Sequence, residues 1–224
     1  MHSYEIEIKS LLGSEENAKA LREKMRALDP HTTLLSKNTQ LNHYFEGGDP
    51  KELLNILGEY FDENERGRLA KILTEGKTLS VRTRQLDDIV LFVVKASIDD
   101  TTSENGISRI EFESPGALSL SELDDKVLSA GYRYQAKWSR KREEYHCSGI
   151  TVCLDKNAGY GYLAEFERVV ESADKKDEIE RELRSLMNAL DAPELSQDRL
   201  ERMFAYYNQH WDEYYGTEKV FTIE

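Results

Sequence analysis

The 224-residue chain fits one large domain or two small ones, and it can bury a sizeable core. With 43 acidic against 30 basic residues the formal charge is −13, which repels nucleic acid and anionic membrane unless basic side chains are gathered in one place. No apolar run approaches the roughly 18 residues of a spanning helix, and the first residues are too polar for a secretory signal, so a cytoplasmic location is expected.

Tyr4-Glu5-Ile6-Glu7-Ile8-Lys9 alternates strictly, which on a strand puts Glu5, Glu7 and Lys9 on one face and the apolar residues on the other. Ser14 then caps a helix with Ala18, Leu21, Met25 and Leu28 at helical spacing, ended by Asp29-Pro30. Thr32 to Phe45 reads as a long strand, closed by Gly47-Gly48-Asp49-Pro50. Residues 51–75 carry two short helical patterns, Leu53, Leu54, Leu57, Phe61 and then Leu69, Ile72, Leu73. From Lys77 to Glu113 the pattern returns to strands. A two-residue turn at Asp87-Asp88 puts Arg82, Arg84 and Lys95 on one face of a hairpin. Asp99 to Gly106 is a polar loop, and Arg109-Ile110-Glu111-Phe112-Glu113 alternates again.

Ser119 or Ser121 opens a helix with Leu120, Leu123, Val127 and Leu128 as its buried stripe, ending near Gly131. Tyr134 to Cys147 and Ile150 to Lys156 form a hairpin about Ser148-Gly149. In that register Arg142 faces Asp155, Cys147 faces Ile150 and Cys153 faces Glu144, so both cysteines are expected reduced. Gly159-Tyr160-Gly161 is a turn leading to Leu163-Ala164-Glu165-Phe166-Glu167. Two amphipathic helices follow, marked by Ile179, Leu183, Leu186, Leu190 and by Leu200, Met203, Phe204, Tyr207, Trp211, Tyr214. Val220 to Ile223 reads as a last short strand.

Several strands thus carry a charged face backed by an apolar one. Five helical segments need an apolar surface to cover, so they are expected outside the sheet, leaving the charged faces to line an interior. A closed or nearly closed sheet of eight strands has room inside for side chains or one small ligand. Charges facing each other there are costly unless paired, metal-bound or matched to a ligand. Arginine and lysine suit a polyanion, and carboxylates suit a hard cation such as Mg²⁺ or Mn²⁺. A metal-bound triphosphate meets both demands.

These residues resemble the CYTH superfamily, the triphosphate tunnel metalloenzymes, which include class IV adenylate cyclases, thiamine triphosphatases and inorganic triphosphatases. Glu5-Ile6-Glu7-Ile8-Lys9 is similar to the family's Glu-x-Glu-x-Lys opening. The match continues through Asn42-His43-Tyr44-Phe45, Arg82 and Arg84, Lys95, Arg109 to Glu113, Arg142-Glu143-Glu144-Tyr145, Asp155 and Glu165-Phe166-Glu167, spanning roughly residues 3–170. Arg140 stands where the family commonly has lysine, and the 51–75 segment is longer than a minimal member needs. The resemblance implies an α+β fold: an eight-stranded antiparallel β-barrel, the triphosphate tunnel, with helices packed outside. It would be a single domain over residues 1–224, with a helical insertion at 50–76 and C-terminal helices at 175–215.

The metal ligands implied are Glu5 and Glu7 with the later acids Glu165 and Glu167, and with Asp155 also a candidate; Asp155 can alternatively orient Arg142. Arg82, Arg84, Lys95, Arg109, Arg140 and Arg142 are the substrate-binding candidates, either gripping phosphate or pairing with the facing acids. Lys9, Glu111 and Glu113 are the catalytic candidates. Lys9 either contacts phosphate or balances Glu5 and Glu7; Glu111 and Glu113 either place a second metal or the attacking water, or pair with neighbouring cations. The histidines, including His43 and His146, show no ligand spacing, and Trp138 and Trp211 read as core residues.

The first reading is a metal-dependent triphosphatase using Mg²⁺ or Mn²⁺, with inorganic triphosphate the simplest substrate, since the lining explains phosphate binding and nothing clearly explains base recognition. Alternatives are a class IV-type adenylate cyclase making cyclic AMP and pyrophosphate from ATP, and a thiamine triphosphatase, which needs an aromatic platform for thiamine triphosphate. A fourth is a non-catalytic polyphosphate- or nucleotide-binding module, which would gain nothing from the acidic set. No long nucleic acid and no membrane are expected as partners; the amphipathic C-terminal helices could support a homodimer.

Overall fold

Capping and turn chemistry fix the ends of the elements. The computed structural model describes residues 4–97, 109–171 and 175–223, so the Asp99–Gly106 loop lies outside the described residues. In chain order the elements are β1 (Tyr4–Gly13), α1 (Glu15–Leu28), β2 (Thr33–Gly47), α2 (Pro50–Leu57), a 3₁₀ turn (Gly58–Tyr60), α3 (Glu63–Glu75), β3 (Thr78–Leu86), β4 (Ile89–Ser97), β5 (Arg109–Pro115), α4 (Leu120–Ser129), β6 (Tyr132–Cys147), β7 (Ile150–Asn157), β8 (Gly161–Val170), α5 (Lys176–Ala189) and α6 (Gln197–Tyr214). Ser14 caps α1 by accepting from the Asn17 backbone N–H. Ser119, rather than Ser121, caps α4 in a reciprocal capping box with Glu122. Ser148 and Gly149, at φ 50° and 78°, make the left-handed pair that a two-residue hairpin turn needs. That turn sets the β6–β7 register, with Arg142 opposite Asp155 and Cys147 opposite Ile150; both cysteines are free and buried.

The eight strands pair antiparallel in the order β1-β5-β4-β3-β2-β6-β7-β8, and β8 returns to β1 along register pairs from Tyr4↔Val170 to Gly13↔Tyr162. Among the described residues the β1–β5 seam is one pair, Glu5↔Arg109, so the ring expected from the sequence is drawn together loosely at that point. Val220–Ile223 is not a strand. It contributes a single parallel bridge, Gly159↔Val220.

Two apolar layers cover the outer face of the sheet. Ile6, Ile8, Val152 and Phe166 pack against Leu21 and Met25 of α1 and Ile179, Leu183 and Leu186 of α5. Phe45, Val81, Phe92, Val94 and Phe112 pack under α2, α3 and α4. Full burial of one such side chain is worth about 1.5–3 kcal/mol, so each layer strongly commits the alternation to apolar-out. Leu28, expected in the α1 stripe, is about half exposed at the helix end.

The last helix departs from the expectation that all helices lie outside. Successive strand residues alternate faces. Leu11 therefore shares the face of Lys9, Trp138 that of Arg140, Leu163 that of Glu165, and Tyr44 that of Asn42. All four inward residues pack in the cluster that contains Leu200, Met203 and Tyr207 of α6. The Tyr207 ring stacks on Trp138 at 3.5 Å between centroids, and its hydroxyl donates to the Lys137 carbonyl. Helix α6 thus seats against the interior of the ring. Gly159 permits this approach: at φ 83°, a side chain there would put its Cβ 2.7 Å from the Tyr207 ring. No helix among the described residues is long and apolar enough to cross a membrane.

Candidate functional site

The alternation that buries the apolar residues outside turns the charges inward. A cavity of about 600 Å³ is lined by Glu5, Glu7 and Lys9 from β1, by Arg82 and Arg84 from β3, by Lys95 from β4 and by Glu111 and Glu113 from β5. Arg140 and Arg142 from β6, Glu165 and Glu167 from β8 and Glu46 from β2 complete its charged wall. Every sequence candidate with a described side chain therefore lines one cavity except Asp155. The Arg109 side chain lies outside the described residues.

The charges are not mixed at random. In the ring order β1 and β8 stand opposite β2 and β3, so the wall has two poles. At the first, Glu5, Glu7 and Glu167 each offer an oxygen, and the three oxygens lie within 4.8 Å of one another. Such a donor set suits a hard divalent cation. Burial, reinforced by the charges of Glu5 and Glu165, pushes the Glu167 carboxyl up to about 9. Burial also acts to raise Glu5, but the ammonium of Lys95, 2.7 Å away, outweighs it and holds Glu5 below its ordinary range. Lys95 in turn reaches Glu111 at 3.1 Å, and Lys9 reaches Glu7 at 2.6 Å and Glu165 at 3.9 Å.

At the second pole three guanidiniums crowd together. Arg82 lies 4.3 Å over the Tyr44 ring, donates to Ser80, and among the described residues has no carboxylate within ion-pair distance. Arg84 meets Glu113 at 2.9 Å, and Arg140 meets Asp155 at 2.9 Å. Burial, with the like charges of Arg140 and Arg82, lowers the Arg84 pKa despite Glu113. The Tyr44 phenol is pulled below its ordinary value: burial opposes this, but Arg82, Arg140 and Arg84 prevail.

Asp155, a candidate metal ligand, stands apart from this lining. It is fully buried behind Arg140 and Arg142, and its oxygens accept from both, at 2.9 Å from Arg140 and 2.6–2.7 Å from Arg142. Glu165 also faces cations, hydrogen-bonding Arg142; against burial, Arg142 and Lys9 bring its carboxyl down to about 2. Glu111 and Glu113 are more exposed than Glu5, Glu7 or Glu165.

Several lining residues escaped the sequence reading because they are uncharged. Tyr44, Ser80, Tyr132 and Gln135 reach the cavity from the sheet, and Leu200 and Phe204 reach it from α6. Tyr44 was legible as a motif residue, but the α6 contribution depends on where that helix docks.

A family model described as the CYTH domain matches residues 60–200. No curated protein is similar enough in sequence to match. Solved structures share the fold at low identity. A conserved hypothetical protein from Pyrococcus furiosus has a TM-score of 0.59 at 15% identity, covering 87% of this chain and 93% of its own. A candidate adenylate cyclase from Vibrio parahaemolyticus has a TM-score of 0.59 at 12% identity, with 92% and 99% covered. HpAC1 from Hippeastrum, a candidate adenylyl cyclase described as having a dominant triphosphatase activity, has a TM-score of 0.50 at 16% identity, with 90% and 95% covered.

Proposed function

The chain belongs to the CYTH domain family, and on that premise we propose that it is a divalent-metal-dependent triphosphatase acting inside the ring of strands. The observation that carries this reading is the separation of the cavity wall into a carboxylate pole, Glu5, Glu7 and Glu167, and an arginine pole, Arg82, Arg84 and Arg140. A plain anion site has no use for the first, and a plain cation site has none for the second.

Glu5, Glu7 and Glu167 would hold Mg²⁺ or Mn²⁺, which supplies charge neutralisation at phosphate oxygens and lowers the pKa of bound water. Arg82, Arg84 and Arg140 bind the triphosphate, and their fixed charges stabilise the negative charge that builds on the departing diphosphate. Lys9 and Lys95 stand among the acids and contact the phosphates nearest that pole. Glu111 and Glu113 are the more open carboxylates, and one of them accepts the proton of the attacking water. Arg142 is already gripped by Asp155 and Glu165, which leaves it to brace the wall. Inorganic triphosphate fills the charged part alone.

A second reading is favoured by one observation: the cavity extends beyond its charges to Tyr132, Gln135, Leu200 and Phe204, which is space an adenine could occupy in a cyclase. A turnover assay with Mg²⁺ or Mn²⁺, offering inorganic triphosphate and ATP separately and resolving the products, tests both. Phosphate released from triphosphate with ATP largely untouched supports the hydrolase. Cyclic AMP and pyrophosphate from ATP replace it with the cyclase. Metal-independent binding without turnover defeats both readings.

A further inference from the structure

The arginine pole is held from behind by amides. On the inward face of β2 three successive inward positions are Asn38, Gln40 and Asn42, and the last two are 3% and 2% exposed. Their side chains run head to tail. Gln40 Nε2 donates to Asn38 Oδ1 at 2.9 Å, and Asn42 Nδ2 donates to Gln40 Oε1 at 3.4 Å. This arrangement turns the carbonyl oxygens of Gln40 and Asn42 toward the guanidiniums: Arg140 Nε donates to Gln40 Oε1 at 2.8 Å, and Arg84 Nε donates to Asn42 Oδ1 at 2.7 Å. Neither amide lines the cavity; each reaches it only through its arginine.

The contrast lies one step along β6. Arg142 is held by two carboxylates, donating through Nε and Nη2 to Asp155 and through Nη2 to Glu165, whereas Arg84 and Arg140 each meet one, Glu113 and Asp155, through Nη1. A carboxylate would bind a guanidinium more strongly than an amide does. It would also cancel the charge. An amide fixes the same Nε edge and adds no negative charge to the one carboxylate that each of these arginines already meets.

We infer that Gln40 and Asn42 are positioning residues of the phosphate site: they lock Arg140 and Arg84 in orientation without adding a second carboxylate to the one each already meets, so part of each charge stays available to the ligand. The inference rests on the triphosphate reading. It divides the arginines by role, with Arg84 and Arg140 for substrate and Arg142 for the wall.

The experiment compares Gln40→Glu, Gln40→Met, Asn42→Asp and Asn42→Leu with the unmodified protein. Inorganic triphosphate binding is followed by calorimetry with and without Mg²⁺, and folding by thermal melting. The acidic variants keep the acceptor oxygen, so a purely structural role predicts that they bind as the unmodified protein does while the apolar variants bind less well. The inference predicts the reverse order. The acidic variants melt at or above the unmodified temperature yet bind triphosphate at least about tenfold more weakly, and the apolar variants fall between. Acidic variants that bind normally overturn the inference. If a buried carboxylate prevents folding at one position, the other position is read, and an apolar variant binding as tightly as the unmodified protein is equally decisive against it. Arg84→Ala separates the two claims. If that variant binds triphosphate normally, the triphosphate reading itself fails and the inference falls with it.

Discussion

At the scale of single residues, Glu167 is the cavity carboxyl that burial and its acidic neighbours keep protonated through the neutral range. Its folded pKa is raised from the ordinary 4.5 to about 9, so the folded chain retains a proton that the unfolded chain releases. Stability from this group is full below pH 4.5 and declines as pH rises toward 9. Glu167→Gln should therefore melt higher than the unmodified protein at pH 8 without metal, with the gap closing toward pH 5. On the metal-dependent reading Mg²⁺ or Mn²⁺ should raise the melting temperature of the unmodified protein, and Glu167→Gln should lose that rise. Melting curves over that range, with metal and with chelator, check both; an undiminished metal response would remove Glu167 from the site. Asp124 behaves oppositely. Buried between α4, β2 and β3, it accepts from Thr83 at 2.5 Å and Tyr134 at 2.7 Å and contacts His43 Nδ1 at 2.7 Å, while His43 Nε2 meets the Tyr215 hydroxyl. Burial acts to raise its pKa, but these hydrogen bonds hold it below the ordinary 3.8. Its contribution is present above pH 3.8 and is lost as pH falls through the folded value. Asp124→Asn should cost about 1–3 kcal/mol at neutral pH, because an amide cannot accept all these bonds, and the deficit should shrink in acid. Urea titrations at a series of pH values measure it.

At the scale of elements, the informative case is α6. Tyr207 is fully buried, stacked on Trp138 and bonded to the Lys137 carbonyl, so Tyr207→Ala should destabilise the chain by about 3–5 kcal/mol, read as a shift in the urea midpoint. A smaller loss, with the ring of strands unchanged, would mean that α6 can leave without consequence. The amphipathic stripe of this helix was visible in the sequence, but a stripe says only that a face is buried, not which partner buries it. The partner was recoverable in part. Trp138 lies two residues from Arg140, and Leu163 two from Glu165, so each sits on the charged face, where an apolar residue needs a cover. Elsewhere the sequence was more explicit. The two-residue turn at Ser148-Gly149 sets the whole β6–β7 register, which is why Arg142 opposite Asp155 could be read directly. That Asp155 lies behind the arginines rather than in the cavity could not be read, since strand pairing fixes neighbours but not depth. Gln40 and Asn42 were overlooked because a search for charge passes over amides, although their spacing places both on the inward face.

At the scale of the whole molecule, the chain carries a net charge of −13, yet it gathers an arginine pole inside a ring of strands. Outside, the excess of acid disfavours a long polyanion, whose charges would run along that surface. Inside, a bound triphosphate would meet the arginines at one end and, at the other, the charged carboxylates of Glu5 and Glu7, beside the protonated Glu167, across the ring. Without a cation, Glu5 and Glu7 would repel that end. A cation held by the three acids would neutralise that repulsion. The two ligands should therefore bind cooperatively, and linkage requires the effect to be equal in both directions: whatever factor the metal adds to triphosphate affinity, triphosphate must add to metal affinity. A coupling of about 5–150-fold is the usual range for such linked sites. Mn²⁺ titrations followed by electron paramagnetic resonance, with and without a triphosphate analogue that is not hydrolysed, measure it directly. In Glu5→Gln the coupling should collapse toward unity while metal-free triphosphate binding is retained or strengthened, because one repelling charge has gone. Were Mn²⁺ affinity indifferent to triphosphate in the unmodified protein, the two poles would be acting as separate sites, and the carboxylates opposite the arginines would need another explanation.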